Sequence, residues 1–281
     1  MKKILFPVDF SGTSLNAYQF ALHLAKKMGA EIITLHVYDV MTIPYVDYRD
    51  YILEHYEITE WEQFENFKDE VPKLRAIAEK EQLGRVIVRH ALKEGDTETT
   101  ILKVAEEEKV DFIVMGTKGA TGLKEVFLGT ITQKIMNNSK VPVLAIPETC
   151  SYKPLKKILF LTEYDLSQLH MLRKVHNLAL LFGAQVDVLQ VSEIDKGQDR
   201  KFSTEWKKIR PKSEVNFYHL TSNDVEGTIT DFIELHKIDW ITLSTHHYGF
   251  FEKLFHYSLS KTLVFHTEIP VLSICETQKE E

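Results

Sequence analysis

The chain reads as an α/β protein of two repeated open-sheet domains, each a five-stranded parallel sheet with helices on both faces. Three observations predict this. The first is repetition: "KKILFPVDFSGTSLNAYQFALHLAKKMGAEIITLHV" from Lys2 aligns without a gap with "KKILFLTEYDLSQLHMLRKVHNLALLFGAQVDVLQV" from Lys156, with 12 identities in 36 residues. The second is that short, nearly continuous apolar runs, as in parallel strands buried on both faces, alternate with segments of helical periodicity. The third is that the halves also match at their ends, "TILKVAEEEKVDFIVMG" with "TITDFIELHKIDWITLS" and "KVPVLAIP" with "EIPVLSIC", in a register 26 residues shorter. The copies are expected at 1–148 and 156–281, joined by "ETCSYKPLK".

In the first copy Lys3–Asp9 is the opening strand. Leu15, Tyr18, Leu22 and Ala25 then recur at helical spacing, and Gly29 ends that helix. Further strands are expected at Glu31–Tyr38, Arg85–Ala91, Asp111–Met115 and Val141–Ile146, with helices near 60–82, 97–109 and 130–138. Right-handed crossovers place those helices on both faces. The second copy repeats the strands at Lys157–Leu161, Gln185–Val191, Val215–Leu220, Asp239–Leu243 and Val271–Ile274. Met41–Phe67 has little counterpart there. Its tyrosines, tryptophan and phenylalanines suit either a longer helix and loop packed on its own domain or a lid or contact surface.

Composition narrows the function. A net charge of −7 argues against a nucleic-acid footprint, and no run approaches the roughly 18 apolar residues of a membrane span. "MKKILFPVDFS" reaches aspartate too soon for a signal or transit peptide, and two cysteines, Cys150 and Cys275, make no disulfide framework. A cytoplasmic protein is the expectation.

The most informative stretch is "MGTKGATGLKEVFLGTITQKI", from Met115, which holds four of the chain's 12 glycines directly after an apolar strand. Ligands of open parallel sheets bind beyond the carboxyl ends of strands. A loop without β-carbons brings backbone N–H groups to a phosphate, and the next helix adds its N-terminal donors and dipole. Thr130 can cap that helix or turn its hydroxyl to a phosphate. Asp9, at the end of the first strand, suits sugar hydroxyls, or it helps Ser11 to cap the first helix. The spacing is neither a P-loop nor a tight dinucleotide fingerprint. It is Gly116, two residues, Gly119, nine residues, Gly129-Thr130. With "PVDFS" opening the copy and "VPVLAIP" closing it, the chain resembles the universal stress protein family, as a tandem member.

The resemblance implies strand order 3-2-1-4-5 and, in one branch of the family, bound ATP or AMP, with or without magnesium. Carried over by position, Gly116, Gly119, Gly129 and Thr130 would hold the phosphates, and Asp9 would lie by the ribose and adenine. The backbone at Val37 would meet the adenine edge, and Pro7, Val8 and Met115 would line the base pocket. It further implies that the halves form a pseudo-dimer like that of single-domain relatives; the apolar last strands invite pairing. A further homodimer is left open.

No nucleophile elbow, zinc motif or set of kinase-type metal aspartates appears. A stress-response or regulatory module that binds a nucleotide, with at most slow ATP hydrolysis, is therefore expected. The alternatives are an ATP-using adenylyl- or phosphoryl-transfer enzyme, marked by turnover with a defined acceptor, and a dimeric scaffold that needs no nucleotide. In the second copy Gly116 becomes Ser244, Gly119 His247, Gly129 Tyr257 and Thr130 Ser258, while Asp9 becomes Glu163. Loss of that phosphate site is the expectation. His246, His247, His256 and His266 lack a ligand spacing, so no metal is expected there.

Overall fold

A computed structural model describes residues 1–38, 49–117, 129–192, 200–210, 214–244 and 269–275, with the backbone alone at 49–60 and 200. The first half runs β1 (Lys2–Pro7), α1 (Gly12–Met28), β2 (Ala30–Tyr38), α2 (Arg49–Lys80), β3 (Val88–Glu94), α3 (Thr97–Glu107), β4 (Phe112–Gly116), α4 (Thr130–Asn138) and β5 (Val143–Ile146). The second runs β6 (Lys157–Leu161), a 3-10 turn (Leu166–Gln168), α5 (Leu169–Phe182), β7 (Gln185–Ser192), α6 (Arg200–Ile209), β8 (Val215–Thr221), α7 (Val225–His236), β9 (Trp240–Ser244) and β10 (Val271–Ile274).

The ten strands form one sheet in the order β3-β2-β1-β4-β5-β10-β9-β6-β7-β8. Each half is thus a 3-2-1-4-5 sheet with parallel neighbours, as the duplicated sequence and the family resemblance require. The halves meet where β5 and β10 pair antiparallel, Leu144 opposite Leu272. The register repeats as well. Ile4 faces Phe112 across β1 and β4, and Ile158 faces Trp240 across β6 and β9. Residues of the two halves can therefore be equated by position in the sheet.

Strand alternation divides the core. Ile4, Phe6, Val114 and their counterparts Ile158 and Phe160 pack under α1, α2, α5 and α6. Leu5, Ile113, Met115, Leu159 and Leu243 pack under α3, α4 and α7. β1 and β4 are buried on both faces, which explains their unbroken apolar runs. α1 ends at Gly29 (φ 63) and α5 at Gly183 (φ 69), left-handed positions that glycine occupies without a β-carbon penalty.

The expected boundaries shift at two places. β3 starts three residues later than Arg85, because its pairing with β2 begins at Val88 opposite Ile32. α2 is longer than expected, starts at Arg49 and carries Pro72 inside it. Of the aromatic stretch, residues 41–48 lie outside the described residues.

Candidate functional site

The first half's site grows from the end of β1. Val8 continues the strand's bonding, its N–H donating to the Leu35 carbonyl at 2.9 Å. Its own carbonyl lies 2.7 Å from His36 Nδ1, which must carry the proton. Asp9 Oδ1 accepts from the Ser11 N–H at 3.1 Å and from Ser11 Oγ at 2.6 Å. Ser11 Oγ in turn accepts from Ser14 N–H at 3.2 Å and caps α1. The carboxylate thus steadies the helix start while standing at the mouth of the sheet.

Between Asp9 and Ser11 the chain passes through Phe10 at φ 58. A bulky residue in that region costs about 1–2 kcal/mol. Its ring packs 5.4 Å from His36 and 6.0 Å from Phe67 of α2. Nothing in the residue type announces the conformation, but the duplication offered a signal. Tyr164, at the same place after Glu163, has φ 60.

Gly116 serves close approach rather than an unusual dihedral. A β-carbon on Gly116 would stand 2.9 Å from Thr13 Cγ2 and 3.3 Å from the Thr13 backbone, so this glycine lets α1 start against the end of β4. Gly129 has φ −61, open to any residue. It occupies the N-cap of α4, and among the described residues no side chain caps the first-turn N–H groups, a donor set with the helix dipole behind it. Two bonds fix this helix start to the strand. Gly129 N–H donates to the Thr117 carbonyl, and buried Thr132 Oγ1 donates to the Gly116 carbonyl at 2.8 Å. Thr132 was not among the expected site residues, because its role depends on this fold-back. Thr130 is exposed at the first turn of α4.

The structure therefore brings together the ends of β1 and β4 and the starts of α1 and α4, and with them Asp9, Gly116, Gly129 and Thr130. Met115 and Val37 share the α4 side of the sheet, and alternation puts Pro7 there too. Val8 does not join them: its side chain is buried in the α1 core, and only its backbone faces the strand end. Gly119, with Lys118 and Lys124, lies outside the described residues.

By register, the second half sets Thr162 at Val8, Gln168 at Ser14, Thr242 at Val114 and Ser244 at Gly116. Thr162 Oγ1 donates to Gln168 Oε1 at 2.6 Å, and the same oxygen accepts from the Glu163 N–H at 3.2 Å. Tyr164 donates its hydroxyl to the Tyr218 carbonyl at 2.7 Å, and burial pushes its pKa up to about 12. A 3-10 turn replaces the first turn of the helix. His246, His247, His256, Tyr257, Ser258 and His266 lie outside the described residues.

The model of the universal stress protein family matches residues 1–147. The chain belongs to this family. It is 34% identical over 152 residues to universal stress protein MJ0577 of Methanocaldococcus jannaschii, covering 52% of this chain and 94% of that protein. A second protein of that organism, universal stress protein MJ0531, is 32% identical over 145 residues, or 52% of this chain and 81% of the relative. The likeness extends to both halves at the level of fold. The crystal structure of an Archaeoglobus fulgidus universal stress protein matches 97% of this chain and 96% of its own with a TM-score of 0.67 at 21% identity. Among the described residues no helix is long and apolar enough to cross a membrane.

Proposed function

We propose that this universal stress protein binds an adenine nucleotide, ATP or AMP, in its first half and serves as a stress-response or regulatory module in the cytoplasm. The observation that carries this is the start of α4: a helix N-terminus without a side-chain cap among the described residues, held by Thr132 and Gly129 against the end of β4. Phosphate oxygens suit those donors and that dipole. Asp9 stands across the strand ends, where a carboxylate would accept from ribose hydroxyls and would repel the phosphates, so the ligand has a preferred direction. Val37, Pro7 and Met115 supply an apolar wall for the base. The second half keeps the fold, fills the end of β6 with the bonded Thr162–Gln168 pair and puts Ser244 where Gly116 stands, so we assign it no phosphate site. The antiparallel β5–β10 pairing we read as the internal counterpart of a dimer.

Calorimetry with ATP and AMP on nucleotide-depleted protein tests this. Saturable binding is expected. No binding of either at millimolar concentration overturns the reading.

A further inference from the structure

Asp9 and Val37, the residues assigned to ribose and base, are each next in the chain to a residue whose ring meets Phe67. Phe10, after Asp9, meets it edge-on at 6.0 Å. His36, before Val37, stacks on it at 6.1 Å. Phe67 is thus the one described side chain of α2 whose ring reaches both flanks of the site, and it is buried. His36 is locked from the other side by the Val8 carbonyl, and the Phe10 backbone is held in a strained region by its neighbours. A displacement of Asp9 or Val37 must therefore move rings that abut α2.

The same helix carries Trp61 and Phe64 toward solvent, 65% and 48% exposed, with their rings 6.1 Å apart. In the second half the equivalent clasp is fastened. Tyr164 stacks on Phe202 at 5.3 Å and is also tied through its hydroxyl to Tyr218. Phenylalanine at position 10 has no hydroxyl to make that tie. In the first half the aromatic at the strand end, Phe10, is thus held by ring packing without a hydroxyl bond.

We propose that α2 is the readout element of the nucleotide site. Phe67 positions Asp9 and Val37 through Phe10 and His36, and occupancy in turn tightens α2 and alters the surface at Trp61 and Phe64. This rests on the nucleotide reading above. Linkage makes the effect reciprocal: what the ligand does to α2, α2 does to the ligand's affinity.

Trp206 and Trp240 are buried, so acrylamide quenching of tryptophan emission in the full chain reports chiefly on Trp61. The experiment pairs that quenching with calorimetry as ATP is added, in the natural protein and in Phe67→Ala, Phe67→Leu and Phe10→Gly. In the natural protein ATP should lower the quenching constant. Phe67→Ala should weaken ATP about tenfold and abolish the quenching response at saturating ATP. Phe67→Leu, which retains bulk, should recover most of the affinity. Phe10→Gly accepts the same backbone conformation without strain, so it folds even if Phe67→Ala does not, and it too should uncouple quenching from binding. ATP binding with unchanged quenching in the natural protein overturns the proposal, as does a full response in Phe10→Gly. Absence of ATP binding in the natural protein overturns the nucleotide reading itself, and the two failures are distinct.

Discussion

At the end of β1 the first half places Val8, Asp9, Phe10 and Ser11; at the end of β6 the second places Thr162, Glu163, Tyr164 and Asp165. The backbone is the same to the detail of a left-handed aromatic in third place. The chemistry differs. In the first half an apolar residue, a serine cap and a glycine let α1 close on β4. In the second, threonine, aspartate and serine occupy those positions, Thr162 bonds Gln168, and the helix begins with a 3-10 turn. A fold of this kind tolerates different side chains at its strand ends, because register and core are specified by strands that lie below them. Among the described residues the two strand ends differ in the side chains that stand there, the bonded Thr162–Gln168 pair in place of Val8 and Ser14.

The comparison breaks most sharply at Gly116. Gly116→Val should force α1 from β4, destabilise the protein by about 2–3 kcal/mol through overpacking, and weaken ATP at least about 100-fold. The reverse change, Ser244→Gly, should add no second nucleotide site, since the rest of that strand end stays filled. Urea denaturation and calorimetry check both. A second contrast is the buried Asp187, which stands where the first half has Ile33. Its Oδ1 accepts from Asn216 at 2.8 Å and Gln185 at 3.2 Å, and His236 faces Oδ2 at 3.8 Å. Asp187→Ala strips these donors of their acceptor and should cost about 2–4 kcal/mol in urea denaturation. Tyr164→Phe converts the second half's clasp to the first half's form. It leaves the Tyr218 carbonyl without that donor and should cost about 1 kcal/mol, with ATP affinity unchanged.

The smallest expected effect is at the opposite edge of the sheet, where Glu108 stands in place of the second half's His236. Lys3 at 2.8 Å and Arg89 at 3.0 Å hold its carboxyl down to about 2. A depressed value means that the stabilisation is full above the unfolded carboxylate value of about 4.3 and is lost as pH falls toward 2. Glu108→Gln should therefore cost less than about 1 kcal/mol near neutrality, since solvent screens a third-exposed side chain, and the difference should shrink on acidification. Urea midpoints at a series of pH values check the sign.

The duplicated apolar runs made the strands and their pairing into two like sheets legible, because both-face burial leaves a direct mark on sequence. β3 was misplaced because "RVIVRHA" alternates equally well in either register, and only its partner β2 decides. Gly116, Gly129 and Thr130 were singled out by spacing, and Asp9 by its place at the end of a strand. The reasons for them were only partly legible. Gly116 answers to Thr13, more than a hundred residues earlier in the chain, and Gly129 is notable for the cap it does not provide. Phe10, His36 and Phe67 escaped notice because each is ordinary alone; their meaning arises where a strand end, a turn and a distant helix converge. Asp187 was hidden in the same way, its partners lying on β8 and α7.

In the function proposed above, one strand end of this chain takes a nucleotide and its duplicate does not. The direct measurement is the stoichiometry of ATP binding to the full, nucleotide-depleted chain, alone and with Gly129→Val, which places a side chain at the start of α4. One ATP per chain is expected in the natural protein and none in the variant, with the variant's unfolding transition preserved. Two ATP per chain, or one that persists in Gly129→Val, would contradict that function.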